Sequence, residues 1–193
     1  MRRYDYLPQF TGQYKCQNIM EIGVWSGQTG RNMVVSAQNS GVIGVSYHGF
    51  DLFEEFIVDE ENGDTKVPPP FEEVRDRLNI AGVFSNLYKG DSKVTVPKFI
   101  EENPNLKMDL IFIDGGHSVE NIKTDWNNVQ PLIYEKTVIV FDDYWLPELS
   151  WGSNQIVNNL DNKKWDVEVL PNYDNCIWQG KDCKLSVVKV TQI

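Results

Sequence analysis

Two apolar runs in this chain stop on acid. Residues 108–117 read Met-Asp-Leu-Ile-Phe-Ile-Asp-Gly-Gly-His, and residues 137–143 read Thr-Val-Ile-Val-Phe-Asp-Asp. Asp114 closes the first run, and Asp142 and Asp143 close the second. Each run has the length and β-branched content of a strand buried on both faces. Residues 118–134 between them have helical character, so the unit is strand–helix–strand with parallel strands. Parallel neighbours present their carboxyl ends at one sheet edge, where open α/β folds bind ligands. Three carboxylates aimed at one crevice suit a hard cation, a proton or a hydroxyl-rich ligand.

A second constellation stands nearer the N-terminus. Glu21-x-Gly23-x-x-x-Gly27-x-x-Gly30, with Ser26 inside it, falls where a first strand (18–24) turns into a helix running to about Gln38. Glycines there let backbone approach a ligand, and a helix N-terminus offers free N–H groups. A second strand ends at Asp51, with Leu52 next, and a third precedes Gly90-Asp91-Ser92. Asp51 can accept hydrogen bonds from the two hydroxyls of a ribose. Asp91 and Ser92 are a candidate ligand pair, although Gly-Asp-Ser is also an ordinary turn and helix cap.

The elements that must position these residues alternate strand and helix. Helices are expected over 71–80, 95–102 and near 154–160, and a hairpin of strands 165–170 and 185–191 closes the chain around a loop at 171–184. This predicts an α/β fold: a doubly wound, mostly parallel, seven-stranded Rossmann-like sheet with a C-terminal antiparallel hairpin. Residues 1–193 fit one domain, with 1–17 as an N-terminal extension. Residues 53–70 are acidic and carry Pro68-Pro69-Pro70, and a connection that long is a candidate lid.

Composition narrows the partners. The chain is 41% hydrophobic and has six Trp, which marks a globular protein. Its 28 acidic against 18 basic residues give a net charge of -10, which argues against nucleic acid, whose phosphates need a basic track. Arg2 and Arg3 are not followed by the apolar core of a secretory signal. No run of about 18 apolar residues is available to span a membrane. Cys16, Cys176 and Cys183 lack metal-ligand spacing. The last two could pair across the hairpin, but reduced thiols in a cytoplasmic protein are the expected state.

The glycine loop, with an acid two residues before its first glycine, resembles motif I of class I S-adenosylmethionine-dependent methyltransferases. Phe112-Ile113-Asp114-Gly115-Gly116-His117 together with Phe141-Asp142-Asp143-Tyr144 resembles the small metal-dependent O-methyltransferases, including the macrolide-sugar and aminocoumarin-sugar enzymes. The offsets of 28 and 29 residues from Asp114 to Asp142 and Asp143 are also similar to those of catechol-type enzymes. The resemblance implies S-adenosyl-L-methionine held by Glu21, Gly23, Ser26, Gly27, Asp51, Leu52, Asp91, Ser92 and Asp114. It implies Mg²⁺ on Asp114, Asp142 and Asp143, and a small-molecule or sugar hydroxyl as acceptor. It leaves room for a homodimer. His117, three residues beyond Asp114, is a candidate base, with capping of the next helix as its other role; Asp114 is the alternative base. Three rival readings stay in view. One is a non-catalytic binding module, and another is a site that orients a polyol without metal. The third is a nicotinamide-dependent oxidoreductase, for which the tight Gly-x-Gly-x-x-Gly is missing.

Overall fold

The computed structural model describes residues 2–58, 66–146, 152–178 and 181–193. One sheet holds seven strands in the order β3-β2-β1-β4-β5-β7-β6. Strands β1 (Asn18–Ile22), β2 (Ser46–Asp51), β3 (Ser85–Lys89), β4 (Leu110–Ile113) and β5 (Val138–Leu146) are parallel. β7 (Lys181–Gln192) runs antiparallel between β5 and β6 (Trp165–Trp178). The expected doubly wound fold with a terminal hairpin is the observed one.

Side-chain alternation along the central strands feeds two cores, because successive residues point to opposite faces. Ile19, Leu110, Phe112, Val138 and Val140 face one side, with Leu7, Met33, Val34 and Leu78. These last come from helices α1 (Tyr6–Gln13), α2 (Gln28–Asn39) and α3 (Phe71–Ile80). Met20, Ile111, Ile113, Ile139 and Phe141 face the other, against Val96, Phe99, Ile122 and Trp126 of α4 (Ser92–Glu102) and α5 (Val119–Val129). Fully burying one such Phe or Ile stabilises the fold by roughly 1.5–3 kcal/mol, so the sheet is anchored from both sides. A short helix α6 (Asn154–Val157) precedes the hairpin.

Several local expectations are corrected. The N-terminal extension holds a 3₁₀ turn (Arg3–Asp5) followed by α1, elements not expected from the sequence. α1 is fixed on α2 by Thr11 Oγ1, which donates to the Met33 carbonyl at 2.8 Å. α4 begins at Ser92, three residues earlier than expected, because Asp91 caps it by accepting from Lys93 N at 2.9 Å. α5 gives way at Gln130 to a 3₁₀ turn containing Pro131, since a residue before proline resists α geometry. The hairpin strands are far longer than expected. Pro171, which suggested a loop, sits where the β6–β7 register shifts between Val169 and Tyr173, a bulge that tolerates a missing N–H. Cys176 and Cys183 face each other across this ladder. Of the candidate lid, residues 59–65 lie outside those described. Its start is pinned: Phe53 is buried against Phe71, and Glu54 pairs with Lys89. Among the described residues, no helix is long and apolar enough to cross a membrane.

Candidate active site

Strand register sets the row of site residues. Ile22 pairs with Phe50 on one side and Ile113 on the other, and Ile113 pairs with Phe141. The next residues in each chain segment, Gly23, Asp51, Asp114 and Asp142, therefore share the carboxyl edge. The row straddles β1 and β4, where the strand order turns back on itself, the usual ligand crevice of such folds.

Gly23 is where β1 ends, at φ +91°. A Cβ there would overlap the Asp114 carbonyl oxygen, so only glycine lets the loop press against the end of β4. Gly27, also at positive φ, leads into α2, whose N-terminus has neither a side-chain cap nor an acid in its first turn. Its N–H groups stay available to an anionic or polar ligand. Asp51 has a structural task as well. Its Oδ2 accepts from Val24 N and Trp25 N, both at 2.8 Å, and its Oδ1 from Phe53 N at 2.7 Å. One acceptor position remains, on Oδ1, for a ribose hydroxyl. Leu52, beside it, and Ser26 are partly exposed.

Glu21 lies beneath the loop, 1% exposed, and accepts a short hydrogen bond from the Tyr47 hydroxyl. Burial pushes its carboxyl up to about 8; Tyr47 opposes the shift and Asp51 adds to it. Ser92 Oγ donates to Asp125 Oδ1 at 2.7 Å. Burial raises the Asp125 carboxyl to about 6, with the Ser92 hydrogen bond opposing. Asp125 thus ties the start of α4 to α5, close to Gly115.

The three acids converge as expected. Asp114, Asp142 and Asp143 each bring an oxygen within 4.8 Å of the others. The last two sit in the irregularity where the β5–β7 register shifts between Phe141 and Tyr144, and Asp143 has φ 55°. The apolar run stops there, yet β5 continues to Leu146. The bulge turns both carboxylates toward the crevice in mid-strand. His117 Nε2 lies 3.2 Å from Asp143 Oδ2, with the imidazole 31% exposed. Burial, then the charges of Asp142 and Asp143, hold the Asp114 carboxyl well above the usual range.

Two residues that sequence reasoning missed complete the cluster. The Tyr4 hydroxyl donates to Asp142 Oδ2 at 2.6 Å and stands 3.3 Å from Asp114 Oδ2. Arg3 Nη2 donates to the Tyr4 oxygen at 2.8 Å and pairs with Asp142 Oδ2 at 3.0 Å. Arg3 Nε lies 3.3 Å from Asp174 Oδ2 on β6. Burial works against the Arg3 charge, but Asp142, with Tyr4, Asp143 and Asp114, more than restores it. Asp142 is 3% exposed, and its Oδ1 has no hydrogen-bond partner among the described residues.

Residues 20–144 match the model of a family described as a methyltransferase domain. The chain belongs to that family. The matched span opens in β1 and closes just after Asp142 and Asp143, so it contains the glycine loop and all three acids. Solved structures with the same fold include the O-methyltransferase TomG from Streptomyces achromogenes, in complex with S-adenosylmethionine. It is 11% identical with a TM-score of 0.65, over 98% of this chain and 79% of that one. An O-methyltransferase from Bacillus cereus is 14% identical with a TM-score of 0.62, over 98% and 80%. The calicheamicin methyltransferase CalS11 is 19% identical with a TM-score of 0.62, over 95% and 76%. No curated protein sequence matches the chain.

Proposed function

We propose that this methyltransferase domain transfers the methyl group of S-adenosylmethionine to a hydroxyl oxygen of a small molecule or sugar, assisted by Mg²⁺. The observation that carries this reading is the cluster of Asp114, Asp142 and Asp143 beside His117, on the same sheet edge as the glycine loop. The solved relatives support the choice of oxygen, since TomG and the Bacillus cereus protein are O-methyltransferases and CalS11 is described as a TDP-rhamnose 3'-O-methyltransferase. A net charge of -10 favours a neutral acceptor over a polyanion.

The donor set fits a divalent cation: three hard carboxylates within reach of one point, with a buried Asp142 oxygen that has no hydrogen-bond partner among the described residues. Asp114, Asp142 and Asp143 would hold Mg²⁺, which when bound lowers the pKa of an acceptor hydroxyl. The protein's own residues do the rest. Gly23 and Gly27 shape the loop that would receive the cofactor, Gly23 pressed on the Asp114 carbonyl and Gly27 on Val74 and Leu78 of α3, and Asp51 anchors the loop and offers its remaining acceptor position to a ribose hydroxyl. Asp91 and Ser92 line the edge next to the β3 loop. His117, oriented by Asp143 and open to the crevice, takes the proton as the acceptor oxygen attacks the methyl carbon. The carbon–sulfur bond breaks with its electron pair going to sulfur, and Asp143 stabilises the imidazolium.

A metal-independent variant of the same reaction is favoured by one specific observation: Arg3 and Tyr4 already neutralise and bond Asp142. Calorimetry of S-adenosylmethionine binding, then labelled methyl transfer to a panel of sugar nucleotides and phenols, with Mg²⁺ and with chelator, tests the proposal. Cofactor binding in both conditions with turnover only in Mg²⁺ is expected. Absence of cofactor binding would remove the reading, and equal turnover in chelator would favour the metal-independent variant.

A further inference from the structure

A buried arginine on the carboxylates of a cation site has a consequence for that site. Arg3 is 9% exposed and stands on a three-residue turn between two acids, 3.0 Å from Asp142 and 3.3 Å from Asp174. Its partner Tyr4 bonds the same Asp142 oxygen. Among the described residues Asp142 Oδ1 is buried and unpartnered, so the arginine satisfies only half of this carboxylate. A divalent ion drawn to that free oxygen and to Asp114 and Asp143 would meet a guanidinium about one hydrogen-bond length from Asp142. Two cations in a poorly hydrated site repel strongly.

We propose that Arg3 is a tethered cation that competes with the divalent metal for Asp142 and thereby sets the affinity of the site. In the metal-free state Arg3 bridges Asp142 and Asp174. In the metal-loaded state it yields Asp142 and remains on Asp174, which is half-exposed and able to follow it. The N-terminal turn thus keeps the three acids from repelling one another apart when no metal is present, and makes the metal site weaker than its carboxylate count suggests. This inference rests on the reading that Asp114, Asp142 and Asp143 hold a metal.

The test is Mn²⁺ titration of the full chain, read by the electron paramagnetic resonance of free Mn²⁺, for wild type, Arg3→Gln and Asp174→Asn. Removing the competing charge should tighten Mn²⁺ binding at least about tenfold, a lower bound for a neighbouring unit charge at an effective dielectric near 20. Asp174→Asn should move it the other way, several-fold weaker, because Arg3 then has nowhere else to go. Unchanged or weaker binding by Arg3→Gln would overturn the proposal. If that variant fails to fold, unchanged or tighter binding by Asp174→Asn overturns it, and weaker binding supports it. S-adenosylmethionine calorimetry in chelator, run on the same samples, separates the two layers. Cofactor binding with no Mn²⁺ binding by any of the three proteins defeats the metal reading and this inference together. Cofactor and Mn²⁺ binding with no difference among the three defeats the inference alone.

Discussion

Glu21 offers a quantitative test of how the glycine loop after β1 is supported. Its carboxyl is sealed under the glycine loop with Tyr47, and burial raises it from 4.5 to about 8. In the unfolded chain it ionises at the ordinary value, so between these limits the native state holds a proton that the unfolded state has lost. Stability must then fall as pH rises from about 4.5 towards 8, and Glu21 adds no slope below or above that window. Each tenfold difference in proton affinity corresponds to about 1.4 kcal/mol, so the full span is about 5 kcal/mol, of which about 3 is in place at pH 7. Glu21→Gln keeps the shape and a hydrogen bond to Tyr47 but cannot ionise. The variant should match the wild type near pH 4.5 and exceed it by a few kcal/mol at pH 8, as measured by urea unfolding across pH 4.5–9. A stability difference that does not change with pH would refute this account, because it would mean that the buried carboxyl does not change its proton occupancy on unfolding.

Three other outcomes are expected from the same geometry. His48 is buried beside Phe99 and Tyr88, and burial lowers its pKa from 6.5 to about 4. The unfolded chain therefore binds the extra proton first, and stability should fall as pH drops from about 6.5 to 4, by up to about 3 kcal/mol; His48→Gln should flatten that limb in the same urea series. His117→Gln should lower kcat about 10²-fold or more while S-adenosylmethionine affinity by calorimetry stays nearly unchanged; loss of cofactor binding with rate would assign His117 to the loop rather than to proton transfer. Gly23→Ala places a Cβ against the Asp114 carbonyl at positive φ, which should cost about 3 kcal/mol or more and abolish cofactor binding. A variant within about 1 kcal/mol of wild type in denaturant titration would show that the loop yields there, since neutral substitutions scatter by roughly ±0.5 kcal/mol.

The range of the forces involved decides which features are legible in the sequence. The runs at 110–113 and 138–141 are legible because a strand buried on both faces needs continuous apolar residues, and both are indeed shared between the two cores. Their acidic ends are legible for the same reason: charge cannot continue into that core. The path of the chain beyond Asp143 is not legible, because a bulge has no composition of its own, and β5 resumes with Tyr144 and Trp145 as though the acids were an insertion. The length of β6 is not legible either, since Pro171 lies within the register shift against β7, a cross-strand feature that its neighbours in sequence do not record. Arg3 and Tyr4 are the extreme case. Tyr4 meets Asp114 and Asp142 across 110 and 138 residues, contacts that leave no local periodicity or spacing to read. An arginine belongs in solvent by every local rule, and only a cluster of carboxylates that would otherwise repel one another makes its burial favourable. The same physics that hid Arg3 in the sequence therefore gives it a role in the site: it is buried because the acids are there, and any other cation that comes to them must contend with it.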